Sequence, residues 1–230
     1  MDALPPELDF VVHAVSPDGS TDTAYRAAYV EGLRNLLRAL TARREKLRRV
    51  VFVSSTGVYA QRRGEWVDED SSAEPEGHAG RRLLEGERIA LGSPFQAVVL
   101  RAGGIYGPGR AGAIERALFR ASGDGPPVYT NRIHRDDLAG VLRHLMLLPE
   151  PESLYLGVDH EPADRRAVAE WLASRLGPET PRRAEPALGR ARSNKHCSNA
   201  RLVASGYSFL YPTFREGFAA VLEEMDVLPH

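Results

Sequence analysis

Hydroxyl side chains follow directly after a short apolar run in the first quarter of the chain. The run Val50-Val51-Phe52-Val53 shows no alternation with polar residues and leads into Ser54-Ser55-Thr56-Gly57. An unbroken, β-branched run of this kind is typical of a strand that is buried on both faces of a parallel sheet. The change to small polar residues marks the carboxyl end of that strand, where open α/β sheets bind their ligands. The hydroxyls therefore either serve such a site or bond to backbone groups in a turn.

A second pair of reactive groups has helical spacing. His78 and Arg82 stand four residues apart, at the start of a predicted helix whose inward side carries Leu83 and Ala90. Imidazole titrates near neutral pH, so His78 can act as a base with the Arg82 cation one turn away. An exposed histidine without a catalytic role is the alternative. The sequence has no tyrosine between Tyr59 and Tyr106, and no lysine between Lys46 and Lys195.

The periodicity of the remaining chain predicts strands that alternate with helices. Further buried strands are predicted at Asp9–Val15, Ala97–Arg101 and Ser153–Val158. A helix capped by Thr21 or Asp22 joins the first strand to Val50–Val53, which makes a right-handed βαβ unit. The later elements are predicted to be a helix capped by Asp136, a helix over 165–177, a strand over 207–211 and a final helix opened by the capping box Thr213-x-x-Glu216. We therefore expect an α/β fold with a parallel sheet.

Composition and charge argue against several classes of protein. The 230 residues carry 30 Lys and Arg against 31 Asp and Glu, a net charge of −1, so no overall field attracts nucleic acid or an anionic membrane. The single cysteine, Cys197, cannot form an internal disulfide, which is typical of a reducing cytoplasm. No apolar run is long enough to span a bilayer. The carboxylates Asp68-Glu69-Asp70, without a nearby histidine, indicate a solvated loop rather than a metal site. We expect a cytoplasmic protein of one domain.

A glycine pattern later in the chain imitates a nucleotide-binding motif. Gly107-Pro108-Gly109-Arg110-Ala111-Gly112 fits G-x-G-x-x-G, but it begins several residues beyond the predicted strand Ala97–Arg101. That position is too late for the tight strand-to-helix turn that holds a pyrophosphate. Pro108 also lacks an amide donor. The pattern therefore does not predict a phosphate-binding turn.

Several motifs together resemble one family. The run VVFVSSTGVYA at 50–60 is similar to the active-site segment of the extended short-chain dehydrogenases/reductases, the NAD-dependent epimerases and dehydratases that act on nucleotide sugars. The segment from Arg101 to Arg110 resembles the R…YGPG loop of that family, and 131–137 resembles its hxxDxA element. The ending SNKHCSNARLVASGYSFLYPTFREGF resembles a poorly characterised bacterial branch that is epimerase-like.

This resemblance implies a Rossmann-like, doubly wound parallel sheet with a small C-terminal α/β lobe for the substrate, mainly from 110–135 and 160–230. It also implies NAD or NADP as the cofactor and a nucleotide sugar as the substrate. Ser55 is the implied catalytic hydroxyl, with His78 and Arg82 in place of the family's Tyr-x-x-x-Lys pair. The implied cofactor contacts are Ala14, Val15, Ser54, Arg101 and Gly103. The implied substrate contacts are Arg110, Asn131 and His134.

The resemblance places Phe10–Val15 at the fourth strand of the family. We therefore expect a truncated member that lacks its first two βα units, about 60 residues, including the glycine-rich phosphate turn, and whose turnover with NAD(P) is impaired. A non-catalytic binding or scaffold protein of the same fold is the alternative, and a chain start that is internal to a longer protein is a third. A first strand left at the edge of the sheet predicts a homo-oligomer paired through that strand, or a poorly soluble monomer.

Overall fold

A four-stranded parallel sheet forms the centre of the protein, in the order β1-β2-β4-β8. The computed structural model describes residues 5, 7–110, 114, 126–177 and 194–225. The four strands are β1 Phe10–His13, β2 Arg49–Ser55, β4 Ala97–Ala102 and β8 Leu154–Gly157. Their apolar runs are buried, as the unbroken β-branched pattern predicts for a covered parallel sheet.

Helices cover both faces of this sheet. The described helices are α1 Asp22–Arg26, α2 Gly32–Ala42, α3 His78–Leu91, α4 Arg135–Leu147, α5 Arg165–Leu176, α6 Ala200–Ala204 and α7 Phe214–Glu224. On one face, Phe52 and Val99 pack with leucines of α2 and with α3. On the other face, Val98 and Leu100 pack against α4 and α6. Because side chains alternate along a strand, neighbouring residues of β4 serve opposite layers.

A π-helical turn, Ala27–Glu31, joins α1 to α2 without a break. It lies against Gly86 of α3, where a Cβ would stand 2.7 Å from the Tyr29 carbonyl oxygen and 2.6 Å from the Phe52 ring. Only glycine allows the backbone of α3 to approach this closely. The close contact holds α3 directly over β2.

Three short strand pairs extend the fold beyond the carboxyl ends of the central strands. The strands are β3 Glu65–Val67, β5 Gly104–Tyr106, β6 Tyr129–Thr130, β7 Arg132–His134, β9 Ala163–Asp164 and β10 Lys195–Cys197. The pairs β3–β10 and β5–β7 are parallel, and β6–β9 is antiparallel. A separate core surrounds Tyr106, Phe214 and Phe218, where α5 and α7 meet. The predicted lobe at 110–135 and 160–230 includes 111–113, 115–125, 178–193 and 226–230, which lie outside the described residues, so its boundaries stay a prediction.

The two edges of the central sheet differ. Leu156 of β8 donates its amide to Glu69 Oε1 at 2.8 Å, and the Leu154 carbonyl accepts from Arg201 at 3.4 Å. The backbone groups of β8 that point away from the sheet are therefore hydrogen-bonded to side chains. Within the described ranges, no strand pairs with the outer side of β1. No helix in those ranges is long and apolar enough to cross a membrane.

The predicted fold class is confirmed: strands and helices alternate around a parallel sheet. Thr21 caps α1, and the box of Thr213 with Glu216 opens α7. Two predictions were wrong. The cap of α4 is His134, whose Nδ1 accepts from the Asp136 amide, and Asp136 lies in the first turn instead.

The second wrong prediction is the strand over 207–211, because no strand forms there. The fully buried carboxylate of Asp137 accepts the backbone amides of Leu210 and Tyr211 at 2.8 and 2.9 Å and the Tyr207 hydroxyl at 2.9 Å. These bonds satisfy backbone donors that would otherwise have to pair with a neighbouring strand. The segment is thus held by a side chain instead of a neighbouring strand.

Candidate functional site

Ser55 ends β2 at the carboxyl edge of the central sheet. Its Oγ accepts the Gly57 amide at 3.0 Å and caps the 3-10 turn Thr56–Val58. Ser55 is half-buried, and its hydroxyl donates no hydrogen bond to any of the described residues. The Ser55 hydroxyl therefore accepts a hydrogen bond in the turn and can still donate one, because a hydroxyl oxygen that accepts a hydrogen bond keeps its own hydrogen.

Ser54 and Arg101 belong to a buried polar network centred on Glu87 of α3. The Ser54 hydroxyl donates to Glu87 Oε1 at 2.5 Å, and Arg101 holds both carboxylate oxygens at 3.0 and 2.7 Å. The third arm of Arg101 donates to the Tyr59 hydroxyl at 2.8 Å. Burial raises the pKa of Tyr59 to about 12, against the influence of Arg101, so this phenol keeps its proton at neutral pH. The polar atoms of Ser54 and Arg101 are therefore directed into the fold.

Ala14 and Val15 extend the chain beyond the carboxyl end of β1. Both are exposed, Val15 to 42%. They adjoin the end of β2, because His13 pairs in register with Phe52. An exposed apolar surface therefore lies beside the hydroxyl-bearing end of β2.

Gly103 and Asn131 continue this edge of the sheet past β4. The Gly103 amide donates to the Gly157 carbonyl at 2.9 Å, and a Cβ at Gly103 would stand 3.0 Å from the Asn131 backbone. Because Ser55 pairs in register with Ala102, the residue before Gly103, the sheet brings Ser55, Gly103 and Asn131 to one edge.

The amide side chain of Asn131 clamps β10 to this edge. Its Nδ2 donates to the Lys195 carbonyl at 3.0 Å, and its Oδ1 accepts the Cys197 amide at 2.8 Å. The buried Lys195 ammonium then donates to the Tyr59 carbonyl at 3.3 Å, in the loop that follows Ser55. Burial lowers the pKa of Lys195 and raises that of the Cys197 thiol to about 12, so this thiol is a core group rather than a nucleophile.

His134 and Arg110 lie in different surroundings from each other. His134 is 1% exposed, with its ring against those of Tyr106 and Tyr211 at centroid distances of 5.3 and 4.0 Å. Burial lowers its pKa, so the imidazole is neutral at pH 7. Arg110 is exposed, and its amide closes a turn onto the Gly107 carbonyl. The substrate contacts assigned to these residues stay predictions.

His78 and Arg82 face the start of α1. His78 Nε2 lies 2.9 Å from the Ser20 carbonyl oxygen, and its ring meets the edge of Tyr25. Arg82 forms two 2.8 Å bonds to the Asp22 carboxylate. Both groups therefore tie α3 to α1, and their catalytic assignment stays a prediction.

Two polar residues of this region escaped the sequence predictions. Glu87 lies four residues after Leu83 and three before Ala90, so helical spacing places it on the buried side of the helix. A carboxylate at a buried position was the sequence signal that could have identified it. Asp159, 2% exposed, follows β8 at its carboxyl end, the position that made Ser54 and Ser55 notable. No group of three potential ligands in the described ranges could hold a metal ion.

The parallel sheet, its helical layers and the hydroxyl at the end of β2 define a Rossmann-type α/β protein. A protein of Methylobacillus flagellatus, provisionally classified as an NAD-dependent epimerase/dehydratase, is 39% identical and superposes with a TM-score of 0.76 over 95% of this chain and 77% of its own. The chain belongs to that family, the extended short-chain dehydrogenases/reductases with NAD-dependent epimerase/dehydratase members.

Two further proteins are similar to this chain at lower sequence identity. Protein YeeZ of Escherichia coli is 30% identical over 157 residues, which are 66% of this chain and 54% of YeeZ, so the match spans about half of that relative. The UDP-glucose 4-epimerase of Thermus thermophilus, solved with NAD, is 19% identical with a TM-score of 0.74 over 95% of this chain and 78% of its own, and shares the fold. No protein-family model matches the sequence.

Proposed function

We propose that this chain binds a nucleotide sugar together with NAD or NADP, as an epimerase/dehydratase-type protein with slow or no turnover. The observation that carries the proposal is Ser55, a half-buried hydroxyl at the carboxyl edge of a parallel sheet. This edge is where open α/β sheets bind ligands. Family membership and relatives such as the NAD-bound UDP-glucose 4-epimerase support both ligand classes.

The residues at this edge fit the nicotinamide end of such a cofactor in part. The exposed Ala14 and Val15 offer an apolar surface beside the hydroxyl of Ser55, and Gly103 adds no side chain. Ser54 and Arg101 fit less well, because Glu87 and Tyr59 already take their polar atoms. When bound, NAD(P) would supply the hydride chemistry, and these residues would orient it.

Slow turnover follows from α3, which carries neither tyrosine nor lysine over His78–Leu91. A positioned acid–base group commonly contributes about 10²–10⁴-fold to the rate. His78 and Arg82 bond to Ser20 and Asp22 instead of turning to Ser55. The same contacts favour the second candidate, a non-catalytic binding or scaffold protein of this fold.

Titration calorimetry of the whole chain with NAD⁺, NADP⁺ and UDP-glucose tests the proposal. We expect binding that Ser55→Ala weakens by roughly 2- to 10-fold, the value of one hydrogen bond. Ser174→Ala is the matched control, since Ser174 only donates to the Trp171 carbonyl on α5. Lack of binding by all three ligands would refute the proposal. Binding without conversion of UDP-glucose to another nucleotide sugar, as followed by chromatography, favours the non-catalytic candidate, and rapid conversion would contradict impairment.

A further inference from the structure

An exposed tryptophan on β3 ends a row of three aromatic rings. Trp66 is 66% exposed, although tryptophan side chains are on average well buried. Its ring stacks on that of His196 of β10, with 4.9 Å between the ring centroids and 27° between the planes. The centroid of the His196 ring lies 3.9 Å from that of Tyr129 of β6. Trp66 is therefore the exposed end of this aromatic row, and most of its surface is open to a ligand.

Strand pairing builds the aromatic row. Trp66 and His196 are partners in the parallel register of β3 and β10, so their side chains share one face of the pair. The Tyr129 amide donates to the side-chain oxygen of Asn194 at 2.9 Å, which holds β6 against the start of β10. His196 Nδ1 donates to the Gly64 carbonyl at 2.9 Å. The ring beneath Trp66 is thus held in place, and a surface that is ordered beforehand loses little freedom when a ligand binds.

The strands of the aromatic row are bonded to the expected substrate site. Lys195, the residue before His196, donates to the Tyr59 carbonyl at 3.3 Å, in the loop that follows Ser55. Asn131, one of the expected substrate contacts, bonds to the backbone of β10 at the residues before and after His196. The row and the Ser55 edge therefore belong to the same hydrogen-bonded part of the fold.

A flat conjugated ring suits the open surface of Trp66. Every nucleobase has a π-face, and nucleobases stack on aromatic side chains with little regard to their sequence. Each ligand of the proposed function carries such a base, namely the uracil of a UDP-sugar and the adenine of NAD or NADP. A base on Trp66 would continue a row in which the neighbouring rings already lie at stacking distance.

We propose that Trp66 is a stacking site for a nucleobase, supported from beneath by His196 and Tyr129. The proposal rests on the proposed function, because it takes the ligand to be a nucleotide, and it adds the side chain that receives the base. The rival occupants of the same surface are a pyranose ring and a second copy of the chain.

Tryptophan fluorescence tests the site directly, because the chain has two tryptophans. In Trp171→Phe only Trp66 emits, and we expect uridine monophosphate or adenosine monophosphate to quench that emission under excitation beyond the absorption of the bases. Trp66→Phe is the control, since its remaining Trp171 packs against the separate core of α5 and α7 and should not be quenched. The stronger quencher identifies the source of the base. Quenching by neither nucleotide, or equal quenching in the two variants, would overturn the proposal.

Two further outcomes of this experiment would overturn the proposal by naming another occupant. Quenching of Trp66 by glucose 1-phosphate and by neither nucleotide would place a sugar ring on the indole. An emission of Trp66 that moves to shorter wavelength as the protein concentration rises, without any nucleotide, would place a second chain there.

Calorimetry separates the failure of this site from the failure of the proposed function. We expect Trp66→Ala to weaken the binding of UDP-glucose or NAD⁺, whichever carries the quenching base, by roughly 5- to 100-fold, and Trp66→Tyr to keep most of the affinity. Leu210→Ala is the matched control, since Leu210 is 69% exposed and should not affect binding. Wild-type binding that Trp66→Ala leaves unchanged would overturn stacking and leave the proposed function intact. Lack of binding by the wild type would refute both.

Discussion

Glu87 organises the polar side chains at the ends of β2 and β4. It receives Ser54 and both arms of Arg101, and Arg101 in turn holds Tyr59. The side chains of the ion pair are 8% and 6% exposed, so each charge depends on the other for its stability in the core. The family resemblance implies that Ser54 and Arg101 contact a cofactor, and that assignment stays a prediction. The sequence around either residue does not contain Glu87, the residue of α3 that bonds to both.

Glu87→Gln should destabilise the protein by about 3–5 kcal/mol, because Arg101 would keep a buried charge without a counter-charge. Urea denaturation gives this free energy of unfolding. Glu85→Gln is the control, since Glu85 pairs with Arg34 and Arg82 near the surface and should cost less than about 1 kcal/mol. Equal, small effects of the two variants would contradict the assigned role of Glu87.

Asp159 should make stability depend on pH. Burial raises the pKa of its carboxyl from 3.8 to about 8, with Arg132 acting in the opposite direction. Between these values the folded state holds a proton that the unfolded state has released, so stability falls as pH rises, by at most about 1.4 kcal/mol per pH unit.

Urea denaturation of the wild type and of Asp159→Asn between about pH 5 and pH 8 checks this pH dependence. The asparagine variant cannot titrate, so its stability should fall less with rising pH than that of the wild type. A constant difference between the two proteins over this range would count against a raised pKa for Asp159.

At the level of elements, local patterns predicted most of the fold and failed where a distant side chain decides. The apolar runs located β1, β2, β4 and β8, because burial on both faces requires that pattern at each strand. The run at 207–211, Tyr-Ser-Phe-Leu-Tyr, is also largely apolar and aromatic, but it bonds to Asp137, about 70 residues earlier. No local window contains that partner. The His134 cap was missed for a local reason, because β7 extends to the residue before α4 and leaves His134 rather than Asp136 at the helix start.

Asp137→Ala should therefore release the 207–211 segment. The change leaves the amides of Leu210 and Tyr211 without their carboxylate, and we expect a loss of about 3–5 kcal/mol. Amide hydrogen exchange should become faster at these two residues than in α5. Asp136→Ala is the control, because Asp136 is more exposed and holds none of these amides. Unchanged exchange at Leu210 and Tyr211 would show that other contacts hold the segment.

For the whole molecule, the outer side of β1 is the feature that bears on assembly. The Asp9 carbonyl accepts from Arg48 and Arg49, so alternation along the strand turns the backbone groups of Phe10 and Val12 outward. An edge with unpaired amides favours pairing with another strand. We retain the proposal that a second copy of the chain occupies this side.

Light scattering should find a dimer for the wild type and a monomer for Val12→Pro. The proline removes an outward donor and leaves the inward bonds of Val11 and His13 to β2 in place. Circular dichroism of the variant must show an unchanged fold for the comparison to hold. A monomeric wild type, or a dimer that tolerates the proline, would exclude pairing through β1.

The two side chains that bond to the outer edge of β8 would then fix the number of chains in such an assembly. Glu69 and Arg201 already bond the outward groups of Leu156 and Leu154, so a chain can add a strand on one side only. Two copies related by a two-fold axis would join their four-stranded sheets through β1 and leave a terminated β8 at each end. Growth would stop at two chains at any concentration, and the same contact could not propagate into a filament.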